Sequence, residues 1–246
     1  MYNKRCVVEY DGTGFAGWQV QSTGRTVQQV IEEKLTEMYK APVKIIGSGR
    51  TDSGVHAEGQ VFSFITDKYL DRKALVYGLN SLLPDDVVIK DAEDAPLEFH
   101  AQQSALSKTY RYRILSREYG SALERNRLWW IKKPLDHVLF GELLSVFEGE
   151  HDFAAFCVRQ SLKENTVRRI NSLQMEHSDG FFSLEINGSG FLHMMVRNIV
   201  GTCVDFTLWG CTPGDIRDVF ASRNRDRAGI TAPAHGLTLV KVFYGD

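Results

Sequence analysis

The chain has 246 residues, of which 43% are apolar and 24% are charged, with a formal net charge of −2. This composition is close to the globular average, which excludes collagen-like and disordered proteins. No apolar run is long enough to span a membrane, and no apolar signal region follows the N-terminus. The sequence therefore predicts a soluble, cytoplasmic protein that does not contact a membrane.

The chain contains 4 cysteines and 7 histidines. The cysteines follow neither a metal-ligand spacing nor a disulfide spacing, and the histidines are scattered. We therefore predict that the protein binds no metal.

Basic residues are concentrated in one part of the chain. Residues 101–133 carry eight basic side chains against Glu118 and Glu124, whereas residues 1–100 carry 11 basic and 15 acidic side chains. Lys and Arg neutralise nucleic-acid phosphates, but a run of charge is also typical of an ordinary solvated surface. Charge alone leaves both interpretations open.

In chain order, the first half alternates strands with amphipathic helices. Cys6, Val8 and Tyr10 alternate with more polar positions, which predicts a strand. Thr26 followed by Gln29 is a helix-capping signal. The predicted elements are a strand at 6–10, a helix at 26–39, strands at 44–46 and 60–65, and a helix at 71–83.

The second half repeats this plan and adds helices. Its predicted elements are a strand at 108–115, a helix at 137–147, strands at 166–175 and 181–187, helices at 191–209 and from 213, and a strand at 237–243. We predict two α+β domains, at 1–104 and 105–246, each a ferredoxin-like or RRM-like half. Their antiparallel sheets are expected to join into one extended sheet, with helices on one side and an active-site cleft between the halves.

The loop at residues 50–57 is the most informative segment. It reads Arg-Thr-Asp-Ser-Gly-Val-His-Ala, so Asp52 lies beside the guanidinium of Arg50 in a glycine-containing loop between two predicted strands. Catalytic residues are concentrated on loops that rigid elements position. Asp, Ser and Gly are also ordinary turn residues, so Asp52 alternatively orders only its own turn.

A second glycine motif, Gly-Thr-Gly-Phe-Ala-Gly at 12–17, matches the dinucleotide-binding pattern. That motif requires its last glycine to open the helix that binds the pyrophosphate. Here the predicted helix begins only at residue 26, so we reject a dinucleotide site.

Seven segments that recur in order resemble the tRNA pseudouridine synthase A family. They are residues 10–12, 15–19, 49–57, 99–101, 108–112, 187–197 and 228–237. The most specific of them is the Arg-Thr-Asp-x-Gly-Val-His-Ala loop. The chain departs from the family at Gln102, where many members carry an arginine, so one cationic contact of the family is in doubt.

The resemblance implies that the protein is an isomerase of tRNA uridine. Such an enzyme breaks the N1 glycosidic bond of a uridine at position 38, 39 or 40 of the anticodon stem-loop and rejoins the base through C5. It uses no cofactor and acts as a homodimer. The resemblance makes Asp52 the nucleophile. Whether Asp52 first attacks ribose C1′, attacks uracil C6 or takes a proton from C2′ stays open.

The resemblance also assigns partners to Asp52. An ionised carboxylate is stabilised by a nearby guanidinium, for which Arg50 and Arg197 are both candidates. Arg197 lies beside an apolar helical stripe, and a charge directed toward the interior requires a partner. The resemblance pairs Arg197 with Asp52 and makes Tyr110 the active-site tyrosine. The expected substrate-binding residues are Arg50, Thr51, His56, Lys108, Arg168, Arg169 and Leu237.

A different class of function is a non-catalytic RNA-binding protein on the same fold, since basic strands with aromatic residues also describe RNA-recognition modules. The Asp52 loop discriminates between the two classes. An acidic group in an RNA-binding groove repels phosphate, so a protein that only binds RNA has no use for it.

Overall fold

A computed structural model describes residues 1–159, 162 and 165–245. The described residues contain ten strands and five α-helices, so the α+β character is confirmed. In chain order they are β1 (Tyr2–Tyr10), α1 (Val27–Tyr39), β2 (Ile46–Gly47), β3 (His56–Thr66), α2 (Arg72–Leu82), β4 (Val87–Ala95), β5 (Ala105–Ser116), β6 (Trp129–Ile131), α3 (His137–Ser145), β7 (Gly149–Asp152), β8 (Val167–Ser178), β9 (Phe181–Gly188), α4 (Met195–Trp209), α5 (Pro213–Ser222) and β10 (Leu237–Tyr244).

The chain divides into two compact units. The first contains Met1–Leu106 together with the final strand from Thr238, and the second contains Ser107–Leu237. The sequence grouped the final strand with the second half. In the structure β10 instead runs parallel to β3 of the first unit, with Thr238 opposite His56. Strand pairing over long sequence separations leaves no local signal, which explains the difference.

In the first unit, β1 lies between β3 and β4 and is antiparallel to both. The side chains of Cys6, Val8 and Tyr10 are buried, as their alternation predicts. The helix α1 begins where its capping signal lies, because Thr26 Oγ1 accepts a hydrogen bond from the Gln29 amide at 3.3 Å. The first strand and both helices of this half are therefore confirmed.

In the second unit, β5 pairs antiparallel with β9 and parallel with β6, and β9, β8 and β7 follow in antiparallel order. The helix α3 packs on one face of this sheet, where Phe140 contacts Phe182 with ring centroids 5.5 Å apart. Phe182 lies opposite Ile114, so the even-numbered residues of β5, including Tyr110, share this face. The odd-numbered residues of β5 lie on the opposite face.

Three strands were not predicted, namely β4, β6 and β7. The β4 segment reads Val-Val-Ile-Lys-Asp-Ala-Glu-Asp-Ala, and acidic residues are depleted in strands. It forms because β1 provides an edge to pair with, so tertiary context overrides propensity. The helix α4 begins at Met195 rather than at 191, since Met194 has a φ of 62° and ends any continuous helix there.

Among the described helices, none combines the length and the apolar character that a membrane span requires. The described residues also contain no group of three or more His, Cys, Asp or Glu side chains that could hold a metal ion.

Candidate active site

Asp52 lies in a tight turn between β2 and β3. The Val55 amide donates to the Asp52 carbonyl oxygen at 3.1 Å, and Gly54 has a φ of 79°, which side-chain-bearing residues rarely adopt. The Asp52 side chain is half-buried. The hydrogen bond that closes this turn joins two main-chain atoms.

The N-terminal segment braces this turn. The Trp18 amide donates to the Thr51 carbonyl oxygen at 3.1 Å, and Ser53 Oγ and the Gly54 amide both donate to the Phe15 carbonyl oxygen, at 3.1 and 3.3 Å. Gly17, with a φ of 106°, lies so close that an added Cβ atom would be 2.7 Å from the Thr51 carbonyl oxygen. The main chain of the Asp52 turn is therefore fixed by hydrogen bonds to Phe15 and Trp18, which precede and follow Gly17 in the chain.

Thr51 and His56 flank Asp52 and are both buried. Thr51 Oγ1 and the Tyr10 hydroxyl lie 2.7 Å apart in a hydrogen bond. His56 Nδ1 accepts a hydrogen bond from the Gly12 amide at 3.1 Å and lies 3.2 Å from Asp11 Oδ1. The structure therefore gives both residues a role in holding the loop against β1 and the segment after it.

The Arg50 side chain is more exposed than that of Asp52. Its side chain is exposed, and among the described residues it makes neither an ion pair nor a hydrogen bond. Of the two arginines that the sequence offered as partners of Asp52, Arg50 is therefore excluded within the described chain.

The two tyrosines of β5 have different environments. Tyr112 is fully buried and donates to the Pro233 carbonyl oxygen at 2.7 Å, and burial raises its pKa. Tyr110 is 8% exposed and meets the Phe191 ring edge-on, with centroids 5.1 Å apart. Tyr112 is thus a core residue, whereas Tyr110 retains an exposed part with which to contact a ligand.

Arg197 is the third residue of α4 and is half-buried. The predicted apolar stripe beside it is buried, with Met195, Val196 and Ile199 all at or below 4% exposure. Its Nε donates to the Ala232 carbonyl oxygen at 2.8 Å, and the Ala232 amide donates back to the Arg197 carbonyl oxygen at 3.1 Å. The Nε bond restricts the orientation of the guanidinium, and the main-chain bond holds Ala232 against α4.

Lys108, Arg168 and Arg169 differ in burial and in the face of the sheet on which they lie. Lys108 lies on the face of Tyr110, and burial lowers its pKa. Buried Ile170 pairs with Gly188, which in turn pairs with Lys108, so Ile170 and Lys108 share a face. Arg168 lies two residues before Ile170 on β8 and is therefore on that same face. Arg169 is exposed on the opposite face. The structure therefore separates the two arginines that the sequence treated together.

Arg168 also lies near the segment that contacts Tyr110. Its Nη1 donates to the carbonyl oxygens of Asn165 and Val167 at 2.6 and 2.8 Å. A Cβ atom on Gly190, next to Phe191, would be 3.7 Å from the Arg168 Nε.

Two other basic residues of the 101–133 segment, Arg111 and Arg113, form ion pairs within the second unit. Arg111 pairs with Glu185 at 2.8 Å, and Arg113 pairs with Glu124 at 2.7 Å. Both arginines lie on the face opposite Tyr110.

Two further predicted positions have clear places. Leu237 is 6% exposed at the start of β10. Gln102, where many family members carry an arginine, is exposed, and its main-chain amide donates to His100 Nδ1 at 3.2 Å.

Sequence reasoning assigned no role to Gly17 or to the carbonyl oxygen of Phe15, which brace the Asp52 turn. Both lie in the segment 15–19 that resembles the family, so the signal was present. That Gly17 and Phe15 brace the turn became apparent only from their contacts in the folded chain.

Comparison with known proteins identifies the family. Residues 6–102 and 144–245 match a family described as tRNA pseudouridine synthase. Proteins named tRNA pseudouridine synthase A are similar over nearly the whole chain. The protein from Acetivibrio thermocellus is 42% identical over 99% of this chain and 100% of its own length. The protein from Geotalea uraniireducens is 44% identical over 98% of each chain.

Among solved structures, a chain in the crystal structure of a Cbf5-Nop10-Gar1 complex aligns with 98% of this chain and 50% of its own length. Its identity is 10% and its TM-score is 0.42, which is too low to support an argument. The sequence matches are of a different order, since they cover both units at more than 40% identity. The chain therefore belongs to the tRNA pseudouridine synthase family.

Proposed function

We propose that the protein isomerises uridine to pseudouridine at positions 38, 39 and 40 of the tRNA anticodon stem-loop, with Asp52 as the nucleophile and without a cofactor. Membership in the family supports the reaction and its tRNA substrate. The observation that carries the role of Asp52 is the turn at 52–55, whose main chain is fixed by the Val55–Asp52 bond and by the bonds of Ser53 and Gly54 to Phe15. A nucleophile held on a rigid turn keeps its position during the reaction.

In this proposal the sheets of the two units join into one extended sheet with helices on one side, and the cleft between the units brings Arg197 to Asp52. A guanidinium at hydrogen-bonding distance keeps a carboxylate ionised, which attack on an electrophilic carbon requires. The exclusion of Arg50 within the described chain favours Arg197 as this partner. The Nε bond to Ala232 supports the assignment, since it restricts how the guanidinium is presented.

The other site residues bind the RNA in this proposal. Tyr110 offers a ring for the everted uracil, whose stacking in the RNA is lost when it leaves the loop. Leu237 adds apolar surface to the same pocket, while Thr51 and His56 maintain the shape of the loop that receives the nucleotide. Arg50 is exposed and suited to a nucleotide phosphate.

Phosphate contacts farther from the base come from Lys108 and Arg168, which share the face of Tyr110. Arg169 lies on the opposite face and drops out of this set. Each contact displaces counterions, so binding of tRNA is expected to weaken as salt rises.

We also propose a homodimer in which both subunits hold one tRNA in the cytoplasm, where tRNA is modified. Sedimentation equilibrium tests the assembly. A particle of twice the 27.8 kDa chain mass supports the dimer, and a particle of the chain mass alone at micromolar concentration contradicts it.

The reaction is tested by mapping pseudouridines in an unmodified tRNA pool after incubation with purified protein and no additive. We expect new pseudouridines at positions 38–40 and at no others. A pool that binds the protein but stays unmodified would favour the non-catalytic RNA-binding function. Pseudouridines at other positions would contradict the proposed target while leaving the reaction intact.

A further inference from the structure

The first turn of α4, which carries Arg197, has an unusual beginning. Met194 occupies the N-cap position with a φ of 62°, and its side chain makes no capping hydrogen bond. Most helices are fixed at this end by a Ser, Thr, Asp or Asn side chain that bonds to a free amide. The orientation of this turn must therefore be set by other contacts.

Those contacts come from residues 225–232, which we call the strap. The strap follows α4 over two turns and bonds to it at three levels. Ala232 and Arg197 exchange two hydrogen bonds, the Gly229 amide donates to Thr202 Oγ1 at 3.0 Å, and the Ile230 amide donates to Asp205 Oδ2 at 2.8 Å. The strap is thus attached by directional polar bonds, which fix its register along the helix.

Asn198, the neighbour of Arg197, is the centre of this attachment. It is 1% exposed, and its amide group is satisfied on both sides. Oδ1 accepts from Thr231 Oγ1 at 2.7 Å and from Arg225 Nη2 at 3.1 Å, and Nδ2 donates to the Phe156 carbonyl oxygen at 2.9 Å. A buried amide that is bonded through both its oxygen and its nitrogen holds its surroundings in one arrangement.

Arg225 joins the two ends of the strap. Its Nη1 donates to the Gly229 carbonyl oxygen at 2.7 Å, while Nη2 donates to Thr231 Oγ1 and Asn198 Oδ1, each at 3.1 Å. The planar guanidinium reaches these acceptors at fixed angles. A lysine ammonium is a single point charge and does not reproduce this geometry.

We propose that Asn198, Arg225 and Thr231 are positioning residues for the reaction, because they lock the strap to α4 and thereby orient the guanidinium of Arg197. They act through the Ala232 carbonyl oxygen, which holds the Arg197 Nε, and not through contact with the RNA. This inference rests on the proposed role of Arg197.

Two substitutions that hardly change side-chain volume test whether the bonds of Arg225 and Thr231 orient Arg197. Arg225→Lys keeps the charge but loses the two-pronged geometry, and Thr231→Val removes only the hydroxyl. Arg223→Lys is the matched control, since Arg223 is exposed and pairs with Asp152 at 2.9 Å, and among the described residues its side chain bonds to neither α4 nor the strap. Single-turnover tritium release from tRNA labelled at uridine C5 measures the rate, and filter binding measures the tRNA Kd.

We expect both test variants to lose about tenfold or more in single-turnover rate, as a displaced catalytic group does. The tRNA Kd should stay within about twofold of the parent, because only the reacting geometry changes. The control should match the parent in both measurements. A merely structural role would lower the amount of folded protein and leave the rate per folded molecule unchanged.

A second readout follows Arg197 directly. Its Nε–H is bonded to Ala232, so its NMR resonance should shift or exchange faster with water in both test variants and stay unchanged in Arg223→Lys. Parental rates in both test variants would overturn the proposal. So would a loss of rate with an unmoved Arg197 resonance, because the effect would then not act through Arg197.

Arg197→Lys in the same assay separates this inference from the proposal on which it rests. If Arg197→Lys is slow while Arg225→Lys and Thr231→Val react like the parent, only the positioning role fails. If Arg197→Lys reacts like the parent, the catalytic role of Arg197 fails and the positioning role fails with it. Neither result affects the role of Asp52.

Discussion

Gly17 determines whether the Asp52 turn can form as it does. Its φ of 106° is strained for any residue with a side chain, and an added Cβ would meet the Thr51 carbonyl oxygen at 2.7 Å. Gly17→Ala should therefore lower the free energy of unfolding by about 1–3 kcal/mol and displace Asp52, which slows isomerisation. Urea denaturation and tritium release measure the two effects.

Gly14→Ala is the control for this change. An added Cβ there would find its nearest atoms, in Arg25 and Asp86, at 3.8 and 4.0 Å. Its free energy of unfolding should stay within about 0.5 kcal/mol of the parent. If Gly17→Ala were as stable and as active as Gly14→Ala, the close packing of Gly17 on the loop would be irrelevant to function.

Tyr39, at the end of α1, buries its hydroxyl without a hydrogen-bond partner among the described residues. Such a group is costly, so Tyr39→Phe should raise the free energy of unfolding by about 1 kcal/mol at neutral pH. Burial raises the Tyr39 pKa to about 12, and the nearby negative charge of Asp94 acts in the same direction. Thermal or urea unfolding measures the change.

The same site gives a pH dependence with a definite sign. An unfolded tyrosine ionises near pH 10, whereas Tyr39 in the folded chain holds its proton up to about pH 12. The free energy of unfolding of the parent should therefore fall as the pH rises through this window, because the unfolded chain loses the Tyr39 proton first. Tyr39→Phe should lose less stability than the parent over this range, and Tyr77→Phe, at a position 69% exposed, should lose as much as the parent. Identical pH profiles for Tyr39→Phe and the parent would contradict this account.

At the scale of the element, alternation along β8 places neighbouring arginines on opposite faces of the sheet. Arg168 shares the face of Tyr110, and Arg169 lies on the other face. Arg168→Glu should weaken tRNA binding and lower the slope of log Kd against log salt by about 0.7–0.9 for each phosphate that the variant no longer neutralises. Arg169→Glu changes the net charge equally, so it controls for long-range attraction and should leave the slope unchanged. Equal slopes for both variants would place the RNA elsewhere.

The helices were easier to predict than the strands. Thr26 and Asp71 cap α1 and α2 through local bonds that sequence spacing reveals, at Gln29 and Ala74 respectively. The strand β4 has acidic residues and depends on pairing with β1, which no local pattern encodes. The start of α4 was placed four residues early because an apolar run continues through Leu192, and only the φ of Met194 shows where the helix begins.

At the scale of the molecule, the sequence identified the family, whereas the contacts around Asp52 became apparent only from the structure. The loop motif singled out Asp52, and its glycine indicated a tight turn. No pattern indicated that Arg50 is exposed without a partner among the described residues, that Arg168 and Arg169 diverge, or that the strap holds α4. No local pattern places the final strand with the first unit either, since packing selects strand partners that are distant in sequence.

The central claim is that the carboxylate of Asp52 performs the chemistry. Asp52→Asn changes charge and hardly changes volume, so the fold and the tRNA Kd should be retained. An amide is not a nucleophile of this kind, so single-turnover tritium release from C5-labelled tRNA should be abolished. Release at the parental rate by a folded, tRNA-binding Asp52→Asn variant would contradict the account.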